Sequence, residues 1–418
     1  MEYLRGLKKY HFFHYSATDP LEASMDLTAG IETFNKSMGV SFFRRKHSFI
    51  NFFFIFGISN LVLYVVSVLK SAYESRHDTT KLIYCIATFG FCCQAIMKIY
   101  SFIITRQRVI DLYENNLRYY QDMTGQSNAV KRVLCDNASL IYIVIKGTVL
   151  IYLILVIATM TIPGFSSLFL ADRILPFGFV MPFFRADTLT GYIWNYLIQV
   201  IMATYYWIIT VGSDITTIYN LITANGQLDV LMTIIGELDE QLERGECPER
   251  IRDKIIEIVR QHQHHRSYLQ QLVDFLNPYH FVTLGSTVPT MVISVLGLVL
   301  LDWYPGAAIV FLGSVQIFYI CFLGTSLEIK VKIISTLFAV RYCLLSISFQ
   351  TDALTLKVGA IHWNKLSIRD MKYMNLVLAM TQKPKMLAVA TLPLNITAFL
   401  KIHKLIYSLI MMLENTKD

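Results

Sequence analysis

Hydrophobic residues in this chain come in long, nearly unbroken runs separated by shorter polar stretches. A strand would alternate every second residue, and a surface helix of a soluble domain would show only a stripe. A helix that crosses a bilayer needs roughly 20 mainly apolar residues. Seven segments meet that length: 49–69, 82–105, 139–162, 190–212, 279–301, 304–327 and 391–413. The fourth is the least apolar. Between the fourth and fifth the pattern changes to helical spacing. Leu228, Leu231, Ile234, Ile235, Leu238 and Leu242 recur before Gly245, and Ile251, Ile255, Ile258 and Val259 follow Pro248. Such spacing predicts amphipathic helices continuing beyond the bilayer. Residues 365–383 look similar, with Leu366, Met371, Met374, Leu376, Leu378 and Met380 interrupted by Arg369 and Lys372. Helices this apolar on one face need partners, and another subunit is a natural source.

The fold class predicted is an all-α membrane protein of seven transmembrane helices with a helical anchor region on one side. Residues 1–48 form an N-terminal segment, and 49–327 a six-helix bundle with helical extensions at 213–278. An anchor region at 328–390, a last helix at 391–413 and a tail at 414–418 complete the plan.

Composition agrees. Of 418 residues, 54% are hydrophobic and 16% charged, and mean hydropathy is +0.47. Soluble domains carry about 25% charged residues. The net charge of +7 suggests nucleic acid only until the cations are located. Of the 37 Lys and Arg, 27 lie on one side of the seven-span plan and six on the other. Cytoplasmic flanks are enriched in these residues, so the N-terminus is expected inside and the C-terminus outside. G-protein-coupled receptors have the opposite orientation. The sequons at Asn35 and Asn137 then face the cytoplasm, and that at Asn395 falls within the last span, so none is expected to carry glycan. No secretory leader is visible in the polar first 48 residues. The seven cysteines form no CxxC pair, which argues against a disulfide framework. His262, His264 and His265 lack a supporting carboxylate and read as a solvated helix face rather than a metal site. No phosphate loop, dinucleotide fingerprint or nucleophile elbow occurs, so no cofactor and no enzymatic activity are expected.

The last span raises a separate question, because Lys401, His403 and Lys404 sit inside it. Charged groups at that depth usually snorkel or face water. Lys401 and Lys404 share a helix face. They act either as an interfacial anchor or as the border of a water-filled vestibule.

Five stretches, in order, resemble the insect odorant receptor family. They are LPFGFVMPFFRADTLTGYIWNYLIQ (175–199), ANGQLDVLMTII (224–235), QIFYICFLGTSLE (316–328), WNKLSIRDMKYMNLVLAMTQKP (363–384) and the Phe399, Lys401, Tyr407, Ser408 pattern. The interval from Gly324 to Trp363 is longer than the family spacing, so the alignment across 330–360 departs from the pattern. Neither the ending nor the fourth-span loop is similar to the shared co-receptor, so a tuning, odour-specific subunit is implied.

The resemblance implies a ligand-gated, non-selective cation channel assembled as a tetramer with co-receptor subunits. It would lie in the plasma membrane of olfactory sensory neuron dendrites, its last helix lining the pore. It implies small volatile odorants in the outer half of the bundle, where apolar walls with few polar groups suit them. With the topology above, those walls are Tyr84, Thr88, Phe89 and Cys92 (span two), Tyr152, Leu155 and Thr159 (span three), Trp194, Tyr196, Gln199 and Met202 (span four), and Phe311 and Ser314 (span six). By position from the C-terminus, Ile410 and Leu413 match the family's gate region, with Ile406 also in the apolar segment. Apolar rings of this kind close pores by excluding water. A gustatory-type channel, with a more polar pocket, and a secondary transporter remain the alternatives.

Overall fold

In a computed structural model the chain is almost entirely α-helical. The structure describes residues 19–41, 51–169, 173–301, 305–342, 361–381 and 395–414, with two strands of two residues each before the last stretch. The first helix is α1 (Pro20–Ser37), followed by α2 (Phe52–Glu74), α3 (Thr79–Thr124), α4 (Asn128–Phe169), α5 (Leu189–Arg244), α6 (Pro248–Leu301) and α7 (Pro305–Tyr342). Then come α8 (Ile368–Thr381), the antiparallel pair β1 (Ala388–Val389) and β2 (Leu392–Pro393), and α9 (Ile396–Glu414). Among the described residues six helices, α2 to α7, are long and apolar enough to cross a membrane. Each overlaps one of the first six expected spans, α2 starting at Phe52 rather than 49 and α7 at Pro305 rather than 304.

The seventh expected span is α9, but it starts at Ile396 rather than at 391. Leu392 and Pro393 are used in the strand pair instead. Asn395 then caps the helix, its Oδ1 accepting the Ala398 N–H at 3.1 Å. Thr325 of α7 takes the Ile396 N–H at 2.7 Å, which pins the start of α9 to its neighbour. The 19 residues still reach about 28 Å, close to the thickness of a hydrocarbon core.

Four helices, α3 to α6, run far beyond a bilayer, and the longest are α5 with 56 residues and α6 with 54. Their connection is built as the sequence predicts. Gly245 ends α5 in the left-handed conformation (φ 67°), and Glu246 N–H returns to the Gln241 carbonyl at 3.1 Å. Pro248 opens α6, where its missing N–H costs nothing. The apolar stripes expected here are buried: Leu228, Leu231, Ile234, Ile235, Leu238 and Leu242 on α5, Ile255 and Ile258 on α6. Their partners come from the same chain, including Leu366, Met374 and Val377 around α8, rather than from a second subunit as anticipated. Lys254 stitches α6 to α5 through Glu237 at 2.8 Å and also meets Glu257 at 3.0 Å. Burial pushes its amine down, but the two carboxylates outweigh that and hold it above the ordinary lysine value.

The histidine cluster at His262, His264 and His265 of α6 is not a solvated face. His262 and His265 are buried, and His264 stacks on Tyr119 at 5.0 Å. The period of α6 turns them onto α3 and α5. Burial, aided by Arg266, pushes His262 down to about 4.

The N-terminal helix α1 is a feature the apolar pattern does not reveal, because its buried stripe mixes Ala23, Leu27 and Ile31 with Ser24, Glu32 and Asn35. It lies along the basic-end half of α5. Ser24 Oγ is 3.4 Å from Tyr219 Oη, Phe34 packs edge-on to Trp207 at 5.9 Å, and Tyr205 Oη donates to the Met38 carbonyl at 3.1 Å. The two helices therefore run antiparallel. Asn35 and Asn137, the first two sequon residues, are both buried between helices. The expected departure at 330–360 lies mostly outside the described residues.

Candidate ligand site and last helix

The end of the bundle opposite the Lys/Arg-rich end is closed by its own loop. Residues 173–188 fold inward, burying Leu175, Phe177, Phe179 and Met181. Phe177 and Phe179 stack at 5.9 Å, and both contact the Tyr64 ring. The loop backbone is held by side chains from four helices, with Ser167 of α4 accepting the Ile174 N–H at 2.8 Å. Gln199 accepts the Phe177 N–H at 3.0 Å and donates to the Phe179 carbonyl at 2.6 Å. Asn195 accepts the Met181 N–H at 2.6 Å, and Ser71 accepts that of Val180 at 2.9 Å. Tyr84 donates to the Pro176 carbonyl, and Tyr192 to that of Ile174 at 3.1 Å. Gly178 (φ 71°) is required at the turn, since an added Cβ would lie 2.3 Å from the Tyr84 ring.

The expected ligand contacts separate into groups. Tyr84 and Gln199 hold the loop plug. Thr88 and Cys92 are buried against α2, where the Thr88 carbonyl accepts from Tyr64 Oη at 2.9 Å. Met202 is buried, and Phe89 and Leu155 pack half-buried on the core. Tyr196 donates to the Met160 carbonyl on α4. Thr159 is exposed, as are Trp194, which stacks on Phe184 at 6.1 Å, and Phe311 at 57%. Tyr152 and Ser314 point into two polar contacts that the expected list did not include.

The first is a buried ionic network near the middle of the bundle. Lys98 of α3 and Asp214 of α5 meet at 2.8 Å, both with 0% side-chain exposure. Asp214 also accepts from Tyr152 of α4 at 3.0 Å, from Gln316 of α7 at 3.2 Å and from Tyr279 of α6. Five helices thus meet at one carboxylate. Gln94 extends the network toward the far end, donating to Gln316 at 2.8 Å and Thr287 at 2.7 Å, and accepting from Tyr206 at 2.5 Å. Beside it lies a narrow cleft of about 10 Å³ between α3, α6 and α7, lined by Gly90, Gln94, Thr287, Met291, Gly313 and Gln316. That is room for about one water in the present conformation. A carboxylate this deep needs its hydrogen-bonding capacity filled, which the tyrosines and Gln316 do for Asp214, while Lys98 also faces the Tyr279 ring at 5.7 Å. In the sequence Lys98 lies within the second expected span and Asp214 just past the end of the fourth, but nothing there pairs them.

The second contact joins α7 to α9. His403 Nε2 lies 2.9 Å from Ser314 Oγ, and its Nδ1 is 3.0 Å from the Phe399 carbonyl. The intramembrane histidine is therefore an interhelix contact. Lys401 and Lys404 are exposed, as are Leu405, Tyr407, Ser408, Met411 and Met412. Of the expected gate residues, Ile406 is 5% exposed and turned into its own bundle, and Ile410 is half-buried on the same side. The Leu413 side chain lies outside the described residues.

Comparison with known proteins places this architecture. The family model described as 7tm Odorant receptor matches residues 78–407. Two solved structures of the olfactory receptor OR5 from the insect Machilis hrabei share the fold. One is in complex with eugenol, at 13% identity and a TM-score of 0.67. The other, described without a ligand, gives 12% and 0.68. In each case 94% of this chain and 99% of the other are covered. These identities establish the common fold and no shared ligand. The match from Asp78 to Tyr407 spans most of the sequence, and the chain belongs to the 7tm odorant receptor family.

Proposed function

We propose that this chain is the odour-tuned subunit of a non-selective cation channel, assembled as a tetramer with co-receptor subunits in the plasma membrane. Family membership over residues 78–407 carries this reading. The basic end is assigned to the cytoplasm by the distribution of Lys and Arg. A small, mainly apolar volatile enters the far-end half, where the aromatic plug provides apolar walls and the cleft beside Gln94 provides the polar groups that orient it. That one similar structure holds eugenol supports a ligand of this size class.

Binding has a physical route to the pore. A ligand that widens the cleft separates Gln94 and Thr287 from Gln316 on α7. Two residues before Gln316, Ser314 carries the contact to His403 on α9. Moving α7 therefore moves α9. The pore is assigned to the exposed face of α9, because Lys404, Leu405, Ser408, Met411 and Met412 recur at helical spacing and are exposed among the described residues. Four such faces around an axis form a lining, with Met412 near its narrow outer end. The lysines are not assigned to ion selection.

The test is current recording in oocytes, with the chain alone and then with an insect odorant co-receptor, against volatile esters, alcohols, phenols and terpenes. Cation current evoked by odour only in the paired condition supports the proposal. Odour-evoked current from the chain alone overturns the paired-subunit part. Silence in both, with surface protein confirmed, counts against channel function.

A further inference from the structure

A second cavity has no part in the mechanism above. It lies between α1 and α4, floored by α5, and has a volume of about 400 Å³. None of the expected ligand contacts lines it. Clefts that hold small molecules run from about 300 to 1,000 Å³. Its walls are apolar, formed chiefly by Leu27, Ile31 and Phe34 of α1 and by Ile145, Val149 and Leu153 of α4. The two charged lining residues are Asp26 and Lys146.

The polarity of the cavity follows from the helix directions. Helix α1 runs antiparallel to α5, so Asp26 sits toward the basic end and Phe34 toward mid-bilayer. Helix α4 enters from the basic end, so Tyr142 precedes Leu153 in the same sense. Lys146 reaches back over the Tyr142 ring, its Nζ 4.5 Å from the centroid, again toward the basic end. One end thus carries a cation and a carboxylate, and the other runs apolar toward the membrane centre. Water in such a slot, inside the hydrocarbon layer, would find few partners.

We propose that this cavity holds one glycerophospholipid of the leaflet at the basic end. An acyl chain lies along Leu27, Ile31, Val149 and Leu153. The headgroup sits at Asp26 and Lys146, and a zwitterionic one meets both charges, its phosphate toward Lys146 and its amine toward Asp26. The lipid fills the seam between α1 and the bundle, so α1 is held partly through it.

Gly30 gives a clean test. It lines the cavity, and an added Cβ there would have nothing within 4 Å. Gly30→Trp therefore fills the slot without a backbone clash and replaces glycine by a better helix former. The full chain, purified in mild detergent with equal phosphatidylethanolamine and phosphatidylglycerol, is weighed intact by native mass spectrometry. Wild type is expected to retain one phospholipid per chain after others are stripped, with phosphatidylethanolamine at least threefold enriched. Gly30→Trp is expected to lose that lipid, and Asp26→Asn, which removes the charge that meets the amine, to lose the enrichment with the slot still open. Equal retention in wild type and Gly30→Trp, or a retained mass that is detergent or fatty acid, overturns the proposal. Equal retention of the two lipids in wild type overturns the headgroup assignment. Melting of Gly30→Trp within a few degrees of wild type confirms that it is folded.

Discussion

The middle of α5 and the whole of α9 are both helices in an apolar setting, yet they are partnered in opposite ways. Every residue of α5 from Ile209 to Leu228 is buried, although the run includes Asp214, Asn220, Asn225 and Gln227. In α9 only Ala398 and Ile406 are buried among the described side chains, although it is rich in leucine, isoleucine and methionine. Polarity does not decide which helix is interior. The α5 helix is interior because neighbouring helices meet its most polar groups: α3, α4, α6 and α7 at Asp214, and α6 at Asn220 and Gln227. The α9 helix contacts chiefly α6 and α7, so its other face is left for lipid, water or further subunits.

The largest effect should come from the centre of α5. Removing one partner of a buried ion pair typically costs about 3–5 kcal/mol, because the other charge is stranded. Asp214→Ala should therefore abolish folded protein at the surface, or lower the melting temperature steeply in detergent. Lys98→Met combined with Asp214→Leu should recover much of that loss. If Asp214→Ala melts like wild type, the interior is not organised around this carboxylate.

The plug comes next. Gly178→Val places a branched side chain at a positive φ and against Tyr84, an expected cost of about 1–3 kcal/mol. Gln199→Leu leaves the Phe177 N–H and the Phe179 carbonyl without their partner, about 1–3 kcal/mol of unmet hydrogen bonding. Both should raise proteolysis of the loop and blunt odour responses while leaving the basal leak in place. Unchanged dose–response curves would detach the plug from ligand entry.

A smaller effect concerns the basic end of the bundle. The folded-state pKa of His262, about 4, lies below its unfolded value near 6.5. The neutral form is favoured on folding, so the stabilisation is complete above about pH 6.5 and is lost as the pH falls toward 4. At about pH 5.5 the loss should be roughly 1 kcal/mol, read as a lower melting temperature, and His262→Asn should flatten that slope. Burial lowers His264 in the same direction.

Smallest in stability should be Tyr407→Ala on the exposed face of α9, within about 0.5 kcal/mol of wild type in detergent. Its effect belongs to the assembled channel, as altered current at unchanged surface level.

The same contrast shows what could be read from sequence. Six spans, the Gly245 stop and the Pro248 start are local features, set by runs of apolar residues and by backbone chemistry, and all were visible. The phase of a helix is also local, but which neighbour meets it is not. Lys98 and Asp214 are 116 positions apart, and no pattern joins them. Gln199 looked like a ligand contact because nothing local indicates that 173–188 folds back onto it. The His262 to His265 stretch looked solvated because its charged neighbours hide a face turned to α3 and α5. Helix α1 carries no legible apolar run because its buried stripe mixes Leu27 and Ile31 with Ser24, Glu32 and Asn35.

The contrast turns finally on what covers α9. Single cysteines at Leu405, Ser408 and Met412 on the exposed face, and at Ile402 and Ile406 on the other, would be expressed with the co-receptor and treated with a charged thiol reagent during odour-evoked current. Block at Ser408→Cys and Met412→Cys, with Ile402→Cys and Ile406→Cys unaffected, is the predicted result. Block at Ile406→Cys with Ser408→Cys and Met412→Cys untouched would mean that the pore runs along the other face, and the assignment of the exposed face would be wrong.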